Sequence, residues 1–241
     1  MSRVRQYSLR QPGVRRASAH GPKIPSGPNA FRVGPSNTIL HTTTASSEGN
    51  NSVKLGGTSS YASGPVPAFD IADHATPLYL DVPNKSKNWN EITYMGFFKK
   101  SQPSPEFYPC GNIDSGNTNG FYIRVRSTRQ AQLIWYSTGS GTIHDYIAPT
   151  IKAGWSTWTF FGVTYDVARG LAFTFDDTGF LASYDISADG DMDPGITVSL
   201  KLPGASNSGA GPYGEQVLLG QSVTKADIID FFETHRSKYG I

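Results

Sequence analysis

The sequence predicts an all-β fold: a β-sandwich with an extended N-terminal arm and one short C-terminal helix. Three observations predict it. About a dozen short runs of alternating apolar residues follow one another at regular intervals, which is typical of two packed antiparallel sheets. Residues 155–176 contain two such runs that are rich in aromatic residues. A helical apolar period appears only near the end, after Thr224.

The centre of the predicted sandwich is a hairpin within residues 155–176. Its first strand places large side chains at odd and even positions alike, including Phe160, Phe161 and Tyr165. A strand that is apolar on both faces needs a packing partner on each face. Residues 166–170 are the predicted turn, and the return strand follows from Leu171.

Other runs with the same two-residue period predict further strands. Residues 91–98 are apolar on both faces, like the central hairpin. Residues 120–126 and 131–136 flank a polar turn and predict another hairpin. Further strands are predicted after the central hairpin at 180–186 and, as a short final strand, at 217–220.

Loops and the helix are predicted from their own signals. Residues 101–109 are rich in proline and residues 204–214 in glycine, so both are predicted as loops. Thr224 is the predicted N-cap of the helix, and Arg236 and Lys238 lie near its C-terminal end, where they complement the helix dipole.

Charge divides the chain into two predicted parts, an arm (residues 1–35) and a sandwich domain (residues 36–241). The arm has seven basic residues and no acidic one, which leaves a net charge of −5 for the rest because the whole chain carries +2. Its apolar residues are spaced as anchors for an extended segment on a neighbouring subunit. The predicted partner-binding residues are Arg3, Arg5, Tyr7, Leu9, Arg10, Arg15, Arg16, Lys23, Phe31 and Arg32.

Composition excludes several classes of protein. The single cysteine, Cys110, excludes an intrachain disulfide. No apolar run reaches the ~18 residues that a membrane span needs, and no apolar core follows the first basic residues as in a secretory signal. We do not expect nucleic acid as the partner, because an arm that binds phosphates is richer in Lys and Arg.

The order of these elements resembles a known family, the laminin-G-like, concanavalin-A-like sandwich of lectins and glucanases. The resemblance covers roughly residues 50–240 and implies a concanavalin-A-like jelly roll. The family's usual Trp in its first central strand is replaced around Phe97 and Phe98. The segments that carry the resemblance are 91–98, 107–113, 120–126, 132–136, 155–166, 173–179, 217–220 and 224–239.

A basic arm on a compact sandwich is similar to subunits of virus particles, especially tailed bacteriophages. This likeness is an analogy at the level of the fold. It implies a location in the virion, as a capsid decoration or tail-associated protein, and other virion proteins as partners of the arm. It also implies a homo-oligomer or another symmetric assembly.

Hydrolase chemistry is not expected from this sequence. Glycoside hydrolases with this sandwich need paired carboxylates, in a pattern such as Glu-x-Asp-x-x-Glu. The chain has five glutamates, and none has an acidic partner at that spacing. His144 and Asp145 form a dyad in sequence, but no Gly-x-Ser-x-Gly nucleophile motif accompanies them. We therefore predict a protein that is not an enzyme.

Two kinds of ligand remain candidates. Asp189, Asp191 and Asp193 alternate as in the start of a calcium loop, but position 12 from Asp189 is Leu200, which excludes an EF-hand. They are weak candidates for calcium, and no cofactor is otherwise predicted. Glycan binding would use exposed aromatic residues that stack on sugar rings. The candidates for it are Tyr108, Tyr136, Tyr146 and Tyr213.

Two functions from different classes follow from these observations. The first is a non-enzymatic structural protein of a virus particle, anchored to neighbouring subunits by its basic arm. The alternative is a lectin-like module that binds a carbohydrate on a host surface. The two functions are compatible, since a particle-bound sandwich could serve in adsorption.

Overall fold

The computed structural model describes the secondary structure of residues 30–33, 45–46, 52–54, 60–62, 68–71, 78–81, 91–99, 106–111, 120–126, 130–137, 142–150, 157–166, 170–176, 181–190, 200–202, 211–219 and 221–241. The strands in these ranges are β1 (Ala30–Val33), β2 (Ala45–Ser46), β3 (Ser52–Lys54), β4 (Ser60–Ala62), β5 (Ala68–Ile71), β6 (Leu78–Asp81), β7 (Glu91–Lys99), β8 (Glu106–Gly111), β9 (Phe121–Arg126), β10 (Gln130–Tyr136), β11 (Ile143–Thr150), β12 (Trp158–Asp166), β13 (Leu171–Asp176), β14 (Leu181–Asp185), β15 (Leu200–Leu202) and β16 (Gly211–Leu219). Helix α1 (Lys225–His235) and a 3-10 turn (Arg236–Tyr239) follow.

The strands form two antiparallel sheets. Sheet A has the order β14-β13-β12-β7-β16-β5-β4, and β1 also pairs with β16. Sheet B has the order β11-β10-β9-β8-β15-β6-β3-β2. The sheets face each other, because Trp135 of sheet B meets Tyr165 of sheet A edge to face at 4.8 Å. This two-layer architecture confirms the predicted all-β sandwich.

The central hairpin is confirmed as β12 and β13, which pair from Phe161↔Asp176 to Asp166↔Leu171. β12 is buried on both faces as its sequence predicts. Tyr165 packs against Trp135 in the space between the sheets. Phe160, which faces the other way, packs against Phe231 and Phe232 of α1. The helix is thus the second packing partner that the apolar outer face of sheet A needs.

Helix α1 begins at the predicted cap. The Thr224 hydroxyl accepts a hydrogen bond from the Asp227 N–H at 3.3 Å, and the Asp227 carboxylate accepts one from the Thr224 N–H at 2.9 Å. This reciprocal capping box fixes the start of the helix. The buried face of the helix joins a core that includes Met95, Phe97, Val217 and Leu219. In the described ranges, no helix is both long and apolar enough to cross a membrane.

Two predicted loops are partly wrong. Residues 106–109 belong to β8 although the segment contains Pro109, and residues 211–214 extend β16 toward its N-terminus. β8 tolerates its proline because its pairing with β9 shifts register between Phe107 and Cys110. Gly214 is required for packing, since a Cβ there would lie 2.4 Å from the Tyr239 ring.

The predicted arm reaches into the sandwich. Residues 30–33, the last described part of the 1–35 segment, form β1 and pair with β16 from Ala30↔Leu219 to Val33↔Gln216. The backbone of Phe31 and Arg32 therefore belongs to sheet A, and their side chains lie outside the described part. Residues 1–29, with the other predicted arm residues, also lie outside it, so the boundary after residue 35 stays a prediction.

Candidate functional site

The outer face of β9, β10 and β11 carries the most distinctive polar arrangement in the described ranges. Along β9 the buried residues Phe121, Ile123 and Val125 alternate with half-exposed ones. The alternation turns Tyr122 and Arg124 away from the inter-sheet core. The register places Arg124 opposite Gln132 on β10 and Gln132 opposite Ile147 on β11, so these side chains share one face of sheet B. On this face the β10 residues are buried, whereas Asp145 and Ile147 of β11 are exposed.

A ladder of hydrogen bonds crosses the three strands. Arg124 Nε donates to Gln132 Oε1 at 2.5 Å. Gln132 Nε2 in turn donates to both carboxylate oxygens of Asp145, at 2.8 and 3.0 Å. Gln132 is fully buried, and its amide uses both its donor and its acceptor side. The ladder therefore fixes the direction of the Asp145 carboxylate at the surface.

The electrostatic balance at Asp145 has opposing contributions. Desolvation by its neighbours raises the pKa of the carboxyl above its ordinary value, while Arg124, Arg126 and the Gln132 hydrogen bond act against this rise. The residue as a whole is exposed. The carboxylate is thus held by donors on its inner side and borders solvent on its outer side.

Apolar surface borders this carboxylate. Ile143 and Ile147, two residues to either side of Asp145 on the same face of β11, are 58% and 39% exposed. They are the large hydrophobic residues that the described ranges leave exposed. The Arg124 guanidinium carbon lies 5.9 Å from the centre of the Tyr122 ring. Sites that bind small ligands combine a few oriented polar groups with aromatic and aliphatic side chains, and the surroundings of Asp145 have the same combination.

The opposite face of β11 closes the edge of the sandwich. His144 Nε2 is hydrogen-bonded to Ser137 Oγ, and His144 Nδ1 lies 3.4 Å from Asp189 Oδ1. The Tyr146 hydroxyl donates to Asp189 Oδ2. We name Ser137, His144, Tyr146 and Asp189 the edge clasp, because these residues join β10 and β11 to the turn after β14.

Ser137, His144 and Asp189 follow one another as Ser, His and Asp do in a hydrolase triad, but the serine does not donate its proton to the histidine. The Ser137 hydroxyl donates to the Asp189 carbonyl oxygen at 2.8 Å, and Ser137 is only 8% exposed. A triad serine instead gives its proton to the histidine. Trp135 stacks on both His144 and Tyr146, with ring centres 5.2 and 5.0 Å apart. The geometry is that of a packed structural contact.

The sequence dyad of His144 and Asp145 is not a functional pair. Adjacent strand residues point to opposite faces, so His144 faces Asp189 while Asp145 faces Gln132. The acidic partner of His144 is therefore 45 positions away in sequence, and it is Asp189, the first of the three calcium candidates. In the described ranges no three acidic, His or Cys side chains group as metal ligands.

The predicted ligand-binding residues have different outcomes. Tyr136 and Tyr213 are 4% and 1% exposed, so both are corrected to core residues without a ring face open to a sugar. Tyr146 is half-buried and part of the edge clasp. The Tyr108 side chain lies outside the described part, as do Asp191 and Asp193. The carboxylate oxygens of Asp189 contact His144 and Tyr146 within the edge clasp.

The residues of the outer-face ladder were missed at the level of sequence. The alternation in residues 120–126 predicted a strand, and it also separates Tyr122, Arg124 and Arg126 from the apolar positions. That signal was sufficient to place these three side chains on a polar face. The ladder itself depends on the register between strands, which the sequence of one strand does not contain.

No family model and no curated protein matches this sequence. Solved structures with the same fold include the botulinum neurotoxin serotype D ligand-binding domain in complex with N-acetylneuraminic acid (TM-score 0.63, 12% identity, 83% of this chain and 52% of that one). The serotype G binding domain (TM-score 0.65, 8% identity, 86% and 51%) and the serotype D receptor-binding domain (TM-score 0.66, 11% identity, 86% and 53%) are also similar. The chain spans about half the length of these domains. At this identity the likeness shows the fold, a lectin-like sandwich.

Proposed function

We propose that this protein is a non-enzymatic, lectin-like binding module that contacts a glycan at Asp145, on the β11 side of the outer face of β9, β10 and β11. The observation that carries the proposal is the ladder from Arg124 through Gln132 to Asp145. The fold likeness supports it, since the similar structures are named as receptor-binding or ligand-binding domains.

The ladder and the apolar residues beside it supply the two kinds of contact that sugars need, hydrogen bonds and apolar surface. The Asp145 carboxylate accepts hydrogen bonds from sugar hydroxyls, and Gln132 keeps it oriented before the ligand arrives. A preoriented acceptor loses little conformational entropy on binding. Ile143, Ile147 and the Tyr122 ring offer apolar surface to the C–H groups of a sugar.

A substitution that changes only the charge of Asp145 tests this proposal. Asp145→Asn keeps an oxygen that accepts from Gln132 but loses the negative charge. We expect it to weaken glycan binding about tenfold, equivalent to ~1.4 kcal/mol, because a charged acceptor binds more strongly than a neutral one. Binding is measured on an array of neutral and sialylated oligosaccharides and then by calorimetric titration of those that bind.

The matched control is Asp230→Asn, which removes the same charge from an exposed position on α1, on the far side of the sandwich. It should leave the affinity unchanged. Absence of any bound glycan on the array, or equal losses for the two variants, contradicts the proposed site.

We propose as a second function that the module belongs to a virus particle and is anchored there by its N-terminal arm. The specific observation is the charge distribution: seven basic residues and no acid in residues 1–35, on a body of net charge −5. Such an arm is attracted to acidic surfaces of neighbouring subunits, including copies of this body.

Truncation tests the anchoring. A chain that begins at residue 30 keeps β1 but lacks six of the seven basic residues. We expect this chain to fold, with cooperative thermal unfolding followed by circular dichroism, and to lose its attachment to particles in a co-sedimentation assay. Normal attachment of the truncated chain would refute the anchoring function.

A further inference from the structure

Strand β1 completes the part of sheet A that no other described strand reaches. β16 pairs with β7 along one side, from Tyr213↔Phe98 to Leu219↔Thr93. On its other side β5 pairs only with Gly211–Tyr213. β1 pairs with four further residues of that side, Gln216 to Leu219.

The residues that β1 covers are deeply buried. Gln216, Val217 and Leu219 are 3%, 1% and 1% exposed, and the last two belong to the core under α1. Buried backbone N–H and C=O groups require hydrogen-bond partners. This half of β16 therefore needs a paired strand, and four residues, Ala30–Val33, are sufficient to supply it.

β1 lies at the end of the basic arm (residues 1–35), and a long segment connects it to the next strand of the sandwich. Residues 34–44 lie between β1 in sheet A and β2, which belongs to sheet B. At roughly 3.3–3.6 Å per residue, such a connection spans up to about 40 Å. This length is on the order of the diameter of a small domain, so β1 can reach the equivalent site on an adjacent copy.

We propose that β1 is exchanged between copies of this chain, so that Ala30–Val33 of one copy pairs with Gln216–Leu219 of the next. The exchanged strand makes the same backbone hydrogen bonds with β16 as it does within one chain. In addition, residues 34–44 then link two subunits, as in domain swapping. It also places the basic residues before β1 on a neighbour whose body carries net charge −5. This inference rests on the second proposed function and specifies the partner as a second copy.

Cysteine cross-linking between two differently labelled chains tests the exchange. Phe31→Cys is introduced in one chain and Leu218→Cys in the other, both with Cys110→Ser to remove the natural thiol. These positions are directly opposite in the β1–β16 register. Opposite residues in antiparallel strands lie about 4.5–5.5 Å apart at Cα, which suits a disulfide. The chains are mixed in urea, refolded together at high concentration and oxidised with glutathione.

We expect a disulfide-linked heterodimer in at least tenfold excess over the control mixture, in which Ser237→Cys replaces Leu218→Cys. Ser237 is exposed on the 3-10 turn and reports random collisions. A yield equal to the control overturns the exchange. The pair Ala30→Cys and Leu219→Cys repeats the test if the first variants do not refold. If truncation before residue 30 abolishes attachment while no heterodimer forms, the arm still anchors the protein and only the exchange fails.

Discussion

At the scale of single residues, β11 carries a candidate ligand-binding residue on one face and a structural residue on the other. β11 presents Asp145 to solvent and His144 to the inter-sheet space, two residues that are adjacent in sequence. The first is held by Gln132 as a candidate ligand contact, and the second is held by Ser137 and Asp189 as part of a closed edge. Sequence adjacency alone suggested a dyad, whereas the two-residue period of a strand separates the pair.

The edge clasp gives a stability prediction at Ser137. Ser137→Ala removes the partner of His144 Nε2 and the donor to the Asp189 carbonyl oxygen. We expect a loss of about 1–3 kcal/mol in the free energy of unfolding, because buried polar groups are left unsatisfied. Urea denaturation measures it.

Ser187→Ala is the matched control, because Ser187 is exposed and its hydroxyl donates to Asp185, two residues away. Its cost should stay within about 0.5 kcal/mol, as for most surface substitutions. Equal stabilities for the two variants would show that the clasp does not hold the edge. Glycan binding by Ser137→Ala should be retained, since the outer face of β11 is not changed.

At the scale of elements, the boundaries of strands were harder to predict than their existence. The central hairpin, the 91–98 strand and the capped helix were predicted because apolar periodicity and the Thr224 cap are local signals. The extension of β16 to Gly211 was missed because Gly211, Pro212 and Gly214 have the composition of a loop. Pairing with β5 and β7 maintains the strand there, and that contact is between distant segments.

The docking of α1 on sheet A depends on the absence of a side chain at Gly162. A Cβ at this position would lie 2.9 Å from Ile228 Cγ2 of the helix. We expect Gly162→Ala to destabilise the fold by about 1–3 kcal/mol through overpacking. Thermal unfolding followed by circular dichroism measures the change.

A double-mutant cycle with Ile228→Ala identifies the cause, because that substitution removes the atom that a new Cβ would meet. In the Ile228→Ala background, Gly162→Ala should cost little, which gives a coupling energy of about 1 kcal/mol or more. Additive effects of the two substitutions would instead place the strain elsewhere on β12.

At the scale of the whole molecule, the two sheets and the helix form three layers, and tyrosines join the two sheets at one edge. Tyr146 and Tyr184 meet edge to face at 5.1 Å, and the Tyr184 hydroxyl donates to the Ile147 carbonyl oxygen. The sequence predicted a sandwich and an arm of opposite charge, but it did not predict which strands lie at the edges. Edge positions follow from the strand order, which is set by long-range pairing.

The tyrosines at this edge link the stability of the whole molecule to alkaline pH. Burial raises the pKa of Tyr184 from 10.0 to about 12, and it also raises the pKa of Tyr146 and of Tyr239, which packs under α1. Between pH 10 and 12 the unfolded chain has released its Tyr184 proton while the folded chain keeps it. The stabilising effect of the neutral hydroxyl is therefore fully present below pH 10 and declines as pH rises through about 12.

Tyr184→Phe should accordingly unfold at lower urea concentration at pH 7, because the hydrogen bond to Ile147 is lost. It should also show a shallower decline of stability between pH 10 and 12 than the parent chain, because one titrating group with a raised pKa has been removed. Ser183→Ala, a half-buried neighbour on β14 that does not titrate, is expected to keep the parental slope. Parallel declines for Tyr184→Phe and the parent would mean that the pKa of Tyr184 does not differ between the folded and the unfolded chain, and the loss of stability at alkaline pH would then come from other groups.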